Sequence, residues 1–211
     1  MDTTPARAER NALCDLFLEV GPDAATLCAG WDARDLAAHL VVRERRPDIA
    51  PGLFLPALAG HSEKVRAAET EQPWPDLVGR VRNGPPAWSP MRIAKVDELV
   101  NTVEFFVHHE DVRRAQDGWT ARALSPELED ALAASLPRMG GFITRRARVG
   151  LVLAPDGRDR IRLHRGEPIV TISGPIGELV LFVYGRKDAA RVGLDGPADA
   201  VGRVRAASFG L

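Results

Sequence analysis

Residues 97–115, DELVNTVEFFVHHEDVRRA, constrain this chain more than any other stretch. Leu99, Val103 and Phe106 recur at i, i+4 and i+7, and Val96, Val100 and Val107 widen that stripe, the pattern of a helix with one face in a core. A polar row runs beside it: Asp97, Asn101, Glu104, His108 and Asp111, spaced alternately four and three apart. Residues so spaced share a helix face, so Glu104 and His108 point the same way with Cβ atoms about 5–6 Å apart. One divalent cation can be held by such a pair. His109 is turned about 100° further round and is the poorer partner for Glu104. Taken alone, Glu-x-x-x-His also describes a solvated helix face, and a metal needs a further ligand from elsewhere in the chain.

Composition narrows the classes. The 211 residues suffice for one large or two small domains, and 45% hydrophobic with 27% charged residues is ordinary for a globular protein. A net charge of −1 provides no field for nucleic acid or a membrane surface. The short basic clusters 43–46 and 145–148 read as solvated faces rather than as a nucleic-acid footprint. No apolar run reaches the roughly 18–20 residues that span a bilayer, and no secretory signal opens the chain, so a cytoplasmic protein is expected. The two cysteines, Cys14 and Cys28, imply no disulfide framework. Cys14 falls on the apolar stripe of the first helix. Cys28, before Ala29-Gly30-Trp31, is either a small buried packing residue or a thiol near an active site. Arginine outnumbers lysine, which occurs only at Lys64, Lys95 and Lys187, and with abundant Ala, Gly and Pro this suggests a high-GC bacterial source.

Along the chain, the pattern predicts a helix over 6–20, stopped by Gly21-Pro22, and a second from Asp32 as N-cap to just before Pro47, with Asp35 as capping-box partner. Residues 49–61 read as a Pro/Gly-rich loop able to cover a cleft. Further helices are expected over 62–72 (Ser62 as N-cap), 76–83 and 97–115, which suggests an up-down four-helix bundle over 1–118. Past Trp119 the character changes. Ser125-Pro126 starts a helix expected to break at Pro137 and Gly140-Gly141. Strands are expected over 149–153, 161–164, 168–173 and 190–194, with a short helix over 175–186 and a final one in the tail. The expected fold class is therefore α+β, with a helical domain over 1–118 and a small, mostly antiparallel α+β domain over 119–211.

His39 lies on the second helix among Ala37, Ala38, Leu40 and Val41. It is either a buried structural histidine or the missing ligand. Asp35 at i−4 could orient its ring. If the second helix faces 97–115 across the core, His39, Glu104 and His108 form a His₂Glu set, the complement of a catalytic zinc with one open position. Ni, Mn, Fe or Co suit the same donors. His61, His109 and His164 lack partners at useful spacing and are expected at the surface. No Gly-x-Gly-x-x-Gly, P-loop or nucleophile elbow is present.

These segments resemble a known family. Leu27-Cys-Ala-Gly-Trp31, Asp35-Leu-Ala-Ala-His-Leu40 and Glu104-Phe-Phe-Val-His108 are similar to the metal-binding domain of mycothiol-dependent maleylpyruvate isomerases, within the DinB-like four-helix bundles. Residues 172–186, ISGPIGELVLFVYGR, are similar to the second domain of those isomerases. The continuation 41–47 resembles an actinobacterial branch known for metal binding alone. The resemblance implies His39, Glu104 and His108 as metal ligands, with water or mycothiol as the fourth. It also implies a substrate-binding arginine in the second domain, for which Arg186 is the match by motif. A cation at a helix end equally suits the helix dipole.

Two functions compete. In one, the metal stabilises a thiolate that adds to a small electrophile, giving isomerisation if the adduct rotates and expels the thiol and S-transfer if it does not; Arg43 or Arg186 would fork onto a substrate carboxylate. In the other, the protein is a metal or thiol sensor without turnover. Partners are expected to be a small thiol and a small electrophile, in a monomer or homodimer.

Overall fold

The computed structural model describes residues 4–46, 56–87 and 94–209; the side chains of 56–59, 61–62, 94–97 and 99–100 lie outside that description. Eight α-helices and one four-stranded sheet stand among the described residues, an α+β protein. The chain divides into two compact units, Met1–Ala121 and Arg122–Leu211.

The first unit is helical. α1 (Pro5–Val20) starts where Thr4 Oγ1 accepts the Arg7 amide and Pro5 needs no donor, and it ends at Gly21, whose φ of 86° suits only glycine without cost. α2 (Ala33–Arg45) is capped by Asp32, whose side chain accepts the Asp35 amide at 2.8 Å, as the sequence predicts. α3 (Pro56–Thr70) begins six residues earlier than expected. Ser62 is therefore an interior residue and not a cap, and proline supplies the start that its fixed φ favours. Of the expected loop over 49–61, residues 49–55 lie outside the described residues and 56–61 are helical. After Pro73 comes α4 (Trp74–Asn83), then α5 (Ala94–Arg113). Of the α5 stripe, Val96, Leu99 and Val100 have side chains outside the description, while Val103, Phe105, Phe106 and Val107 are buried. α1 packs on α4 and α5, and α2 on α3 and α4. Leu13, Cys14, Phe17, Leu36, Leu40, Leu77, Val81, Phe105 and Val112 meet in one core. Cys14 is fully buried there, as expected.

Charge penetrates this core. Arg10 and Glu44, 1% and 4% exposed, form a two-pronged pair. The guanidinium also donates to the Val81 carbonyl at 2.9 Å and lies 4.1 Å from the centre of the Phe105 ring. The cluster 43–46 is thus no solvated face: Glu44 points inward, Arg45 donates to the Gly84 carbonyl, and Arg43 turns to α5. His109, expected at the surface, is buried against Glu9 at 3.1 Å, because the carboxylate that pairs it comes from α1. His61 falls outside the described side chains.

The second unit opens with α6 (Pro126–Ile143), capped by Ser125. The expected break does not occur. α6 continues through Pro137, and Gly140 and Gly141 serve close packing: a Cβ on Gly140 would lie 2.8 Å from Leu163, and one on Gly141 3.1 Å from the Leu163 carbonyl. β1 (Gly150–Pro155), β2 (Ile161–His164), β3 (Ile169–Gly174) and β4 (Gly193–Asp195) are ordered β2-β1-β3-β4. The outer pairs are antiparallel, but the central β1–β3 pair is parallel, a crossover that strand patterning alone does not reveal. β4 lies three residues later than expected at its start. α7 (Ile176–Val183), buried along its whole length, packs on β1, β3 and α6, and α8 (Ala198–Ala206) packs on β3. His164, another expected surface residue, is half-buried and hydrogen-bonded to Thr144 Oγ1 at 2.9 Å.

Removing one member of a dry ion pair strands the other. Glu44→Ala should lower unfolding free energy by about 3–5 kcal/mol, read as a shifted urea midpoint at unchanged slope.

Candidate metal centre

The cap at Asp32 fixes the phase of α2. With Leu36 and Leu40 in the core, His39 is left facing α5, half-buried, its ring 5.1 Å from that of Trp31. On α5, burial of Phe105 and Val112 fixes the phase in turn and directs Glu104 and His108 toward α2. The three side chains meet. Glu104 Oε1 lies 3.4 Å from His39 Nε2 and 3.3 Å from His108 Nε2, and the two imidazole centres are 5.5 Å apart at 72°. One donor atom from each residue falls within 4.8 Å of the others. Around a tetrahedral zinc with bonds of about 2.05 Å, neighbouring donors sit about 3.3 Å apart, so the contacts at Glu104 have the spacing that a cation requires.

The proton pattern calls for a cation at this junction, which a proton on His108 supplies as well as a metal would. His108 Nδ1 is 2.9 Å from Asp111 Oδ2, and Asp111 is fully buried. With its proton on Nδ1, where the carboxylate accepts it, a neutral His108 turns its Nε2 lone pair onto an oxygen lone pair of Glu104. Only a cation between the two atoms, a proton or a metal, makes that contact favourable. Burial works against charge on His108, but hydrogen bonds with Asp111, Cys28 and Glu104 outweigh it and hold the imidazole well above its ordinary range. Burial would raise Glu104; the Arg43 charge and the two histidines overcome that and hold it well below the usual carboxylate range. His39, chiefly through burial, is shifted down toward its neutral, ligating form.

The surroundings differ from expectation in three places. Asp35 does not orient His39; its carboxylate is held by Arg66, which also stacks over Trp31 at 5.0 Å. The orienting carboxylate is Asp111, three residues after His108 on the same polar row, and it serves the other imidazole. Arg43 is committed to the site itself: Nε is 3.1 Å from Glu104 Oε1, and Nη1 donates to Asn101 Oδ1, whose amide in turn reaches Glu44 at 3.3 Å. Of the two readings of Cys28, the structure favours the thiol beside the site: Sγ donates to Asp111 Oδ2 at 3.2 Å and lies 3.9 Å from His108 Nδ1. Arg186 belongs to the second unit, just past α7, where Nη1 donates to the Tyr184 carbonyl at 2.7 Å.

The two thiols should separate chemically. Burial pushes Cys14 up to about 12, whereas Cys28 is half-buried in a loop. A disulfide thiol reagent at pH 8 should titrate Cys28 in the native protein and both cysteines in denaturant; prompt labelling of Cys14 in the native state would contradict this packing.

No family model matches the chain, and no curated protein does. Two solved structures do: the mycothiol-dependent maleylpyruvate isomerase (TM-score 0.61) and a histidine-to-alanine variant of it (TM-score 0.60). Each is 16% identical to this chain, with 90% of both chains covered. On that likeness, this chain has the fold of the mycothiol-dependent maleylpyruvate isomerase.

Proposed function

We propose that this chain binds one divalent cation through His39 Nε2, a Glu104 carboxylate oxygen and His108 Nε2, and that it is a thiol-dependent isomerase or S-transferase acting on a small electrophile. The observation that carries this reading is the convergence of two imidazoles on one carboxylate oxygen at the donor spacing of a tetrahedral ion. Zinc suits the His₂Glu set best, with Ni, Mn, Fe or Co able to replace it. We read α1, α2, α3 and α5 as an up-down four-helix bundle, with α4 as a continuation of α3 beyond Pro73. The fold likeness points to mycothiol as the thiol.

When bound, the cation supplies a Lewis acid beside which a thiol ionises at neutral pH. The chain's own residues do the rest. Asp111 accepts the Nδ1 proton of His108 and so keeps the lone pair of Nε2 directed inward. Arg43 holds Glu104 ionised and in place, and is itself held by Asn101. Trp31 closes one side of the His39 ring and limits its rotation. Three protein donors leave a four-coordinate ion one position for the thiol. Arg186, by its place in the 172–186 motif, is the arginine we assign to a substrate carboxylate.

Purified protein should carry a divalent metal by elemental analysis, and His39→Ala should carry one equivalent less. Asp111→Asn should retain the site but weaken its affinity by about 10–100-fold, since Asn accepts the Nδ1 proton less well. In calorimetry, mycothiol should bind metal-loaded protein and not His39→Ala. Absence of mycothiol binding to the loaded protein would end the thiol-dependent reading. Binding without turnover over a panel of electrophiles would leave a sensor in its place.

A further inference from the structure

His108 is contacted at both ring nitrogens, and the proposed ion uses only one. On the Nδ1 side stand Asp111 and Cys28, with Nδ1···Oδ2 2.9 Å, Sγ···Oδ2 3.2 Å and Sγ···Nδ1 3.9 Å. These three donors also fall within 4.8 Å of one another. A tetrahedral ion with one sulfur ligand at about 2.3 Å and nitrogen and oxygen ligands near 2.05 Å needs donor separations of about 3.3–3.6 Å, which the three distances bracket. The thiol is not placed by chance. The Leu27 amide donates to the Asp111 carbonyl at 3.0 Å, and Thr26 Oγ1 accepts the Cys28 amide at 3.1 Å while donating to the Trp31 carbonyl at 2.8 Å. The turn that carries Cys28 is thereby tied both to itself and to the end of α5. Asp111 and His108 are buried and Cys28 is half-buried, so Cys28 is the least enclosed of the three.

We propose that Cys28 Sγ, Asp111 Oδ2 and His108 Nδ1 form a second cation site, for a thiophilic divalent ion such as zinc or cadmium, on the opposite edge of the imidazole that serves the first. On binding, the Cys28 thiol releases its proton to solvent. The ion takes the place of the proton that Asp111 accepts from Nδ1; that proton also leaves to solvent, and the ring bridges the two positions as an imidazolate. The sulfur selects for softer ions at this position, whereas the first set, of imidazole and carboxylate only, accepts harder ones.

Co(II) titration of the full chain tests this by absorption, independently of turnover. Two equivalents should bind, and the second should bring a near-ultraviolet thiolate-to-cobalt charge-transfer band. Cys28→Ser should abolish that band and reduce the stoichiometry from two to one. His39→Ala should remove the other equivalent and keep the band. Cys14 is fully buried, so it does not supply the sulfur. The proposal is overturned if saturating Co(II) gives no thiolate band, if the band survives in Cys28→Ser, or if His39→Ala removes band and cobalt together. In the first two cases a single equivalent lost in His39→Ala would leave the first site standing.

Discussion

One oxygen atom organises the helical unit. Glu104 Oε1 collects His39, His108 and Arg43 within 3.1–3.4 Å, drawing donors from α2 and from its own helix. A carboxylate so placed is costly to bury alone and favourable only while its partners stay. It therefore couples the side chains that link α2 to α5 to the chemistry at their junction. If α2 rotated by one residue, His39 would leave the cluster and Leu40 would leave the core together.

The support continues inward. From Glu104 the contacts run to Arg43, to Asn101, to Glu44 and to Arg10, which ends on the Val81 carbonyl at α4. Such a chain of charge-assisted bonds is worth having only if complete, since each interior member would otherwise be an unpaired polar group in a dry environment. It also rigidifies: α1, α2, α4 and α5 are joined by directional bonds where apolar packing alone would permit sliding. The Cys28 turn performs the same service at the other end of the site, through bonds to Asp111 and within itself.

Much of this was legible in residue spacing. Glu104 and His108 share a face because four residues make about one helical turn, and Asp32 and Ser125 announce helix starts because their side chains satisfy amides that a helix leaves open. A signal for Arg10 was present too: it stands on the stripe of Ala6, Leu13 and Phe17, where an arginine is buried only if a carboxylate meets it. Asp111 was visible on the polar row, but its role was not, because an i, i+3 carboxylate beside a histidine reads equally as solvated. The opposite error occurred at Pro137 and Gly140-Gly141. Both look like breaks, yet the helix continues, since one missing donor is tolerable and the glycines admit Leu163.

The sequence by itself determined the local facts: where helices start, which side chains share a helix face, and that α2 and α5 each carry potential ligands. These depend on backbone periodicity and on neighbours within a turn or so. Only tertiary structure decided that the 43–46 cluster turns inward, that His109 meets Glu9 one hundred residues away, and that Cys28 reaches Asp111 from 83 residues away. Those pairings link helices whose mutual rotation is set by how their apolar faces fill space together, and no short window of sequence contains that information.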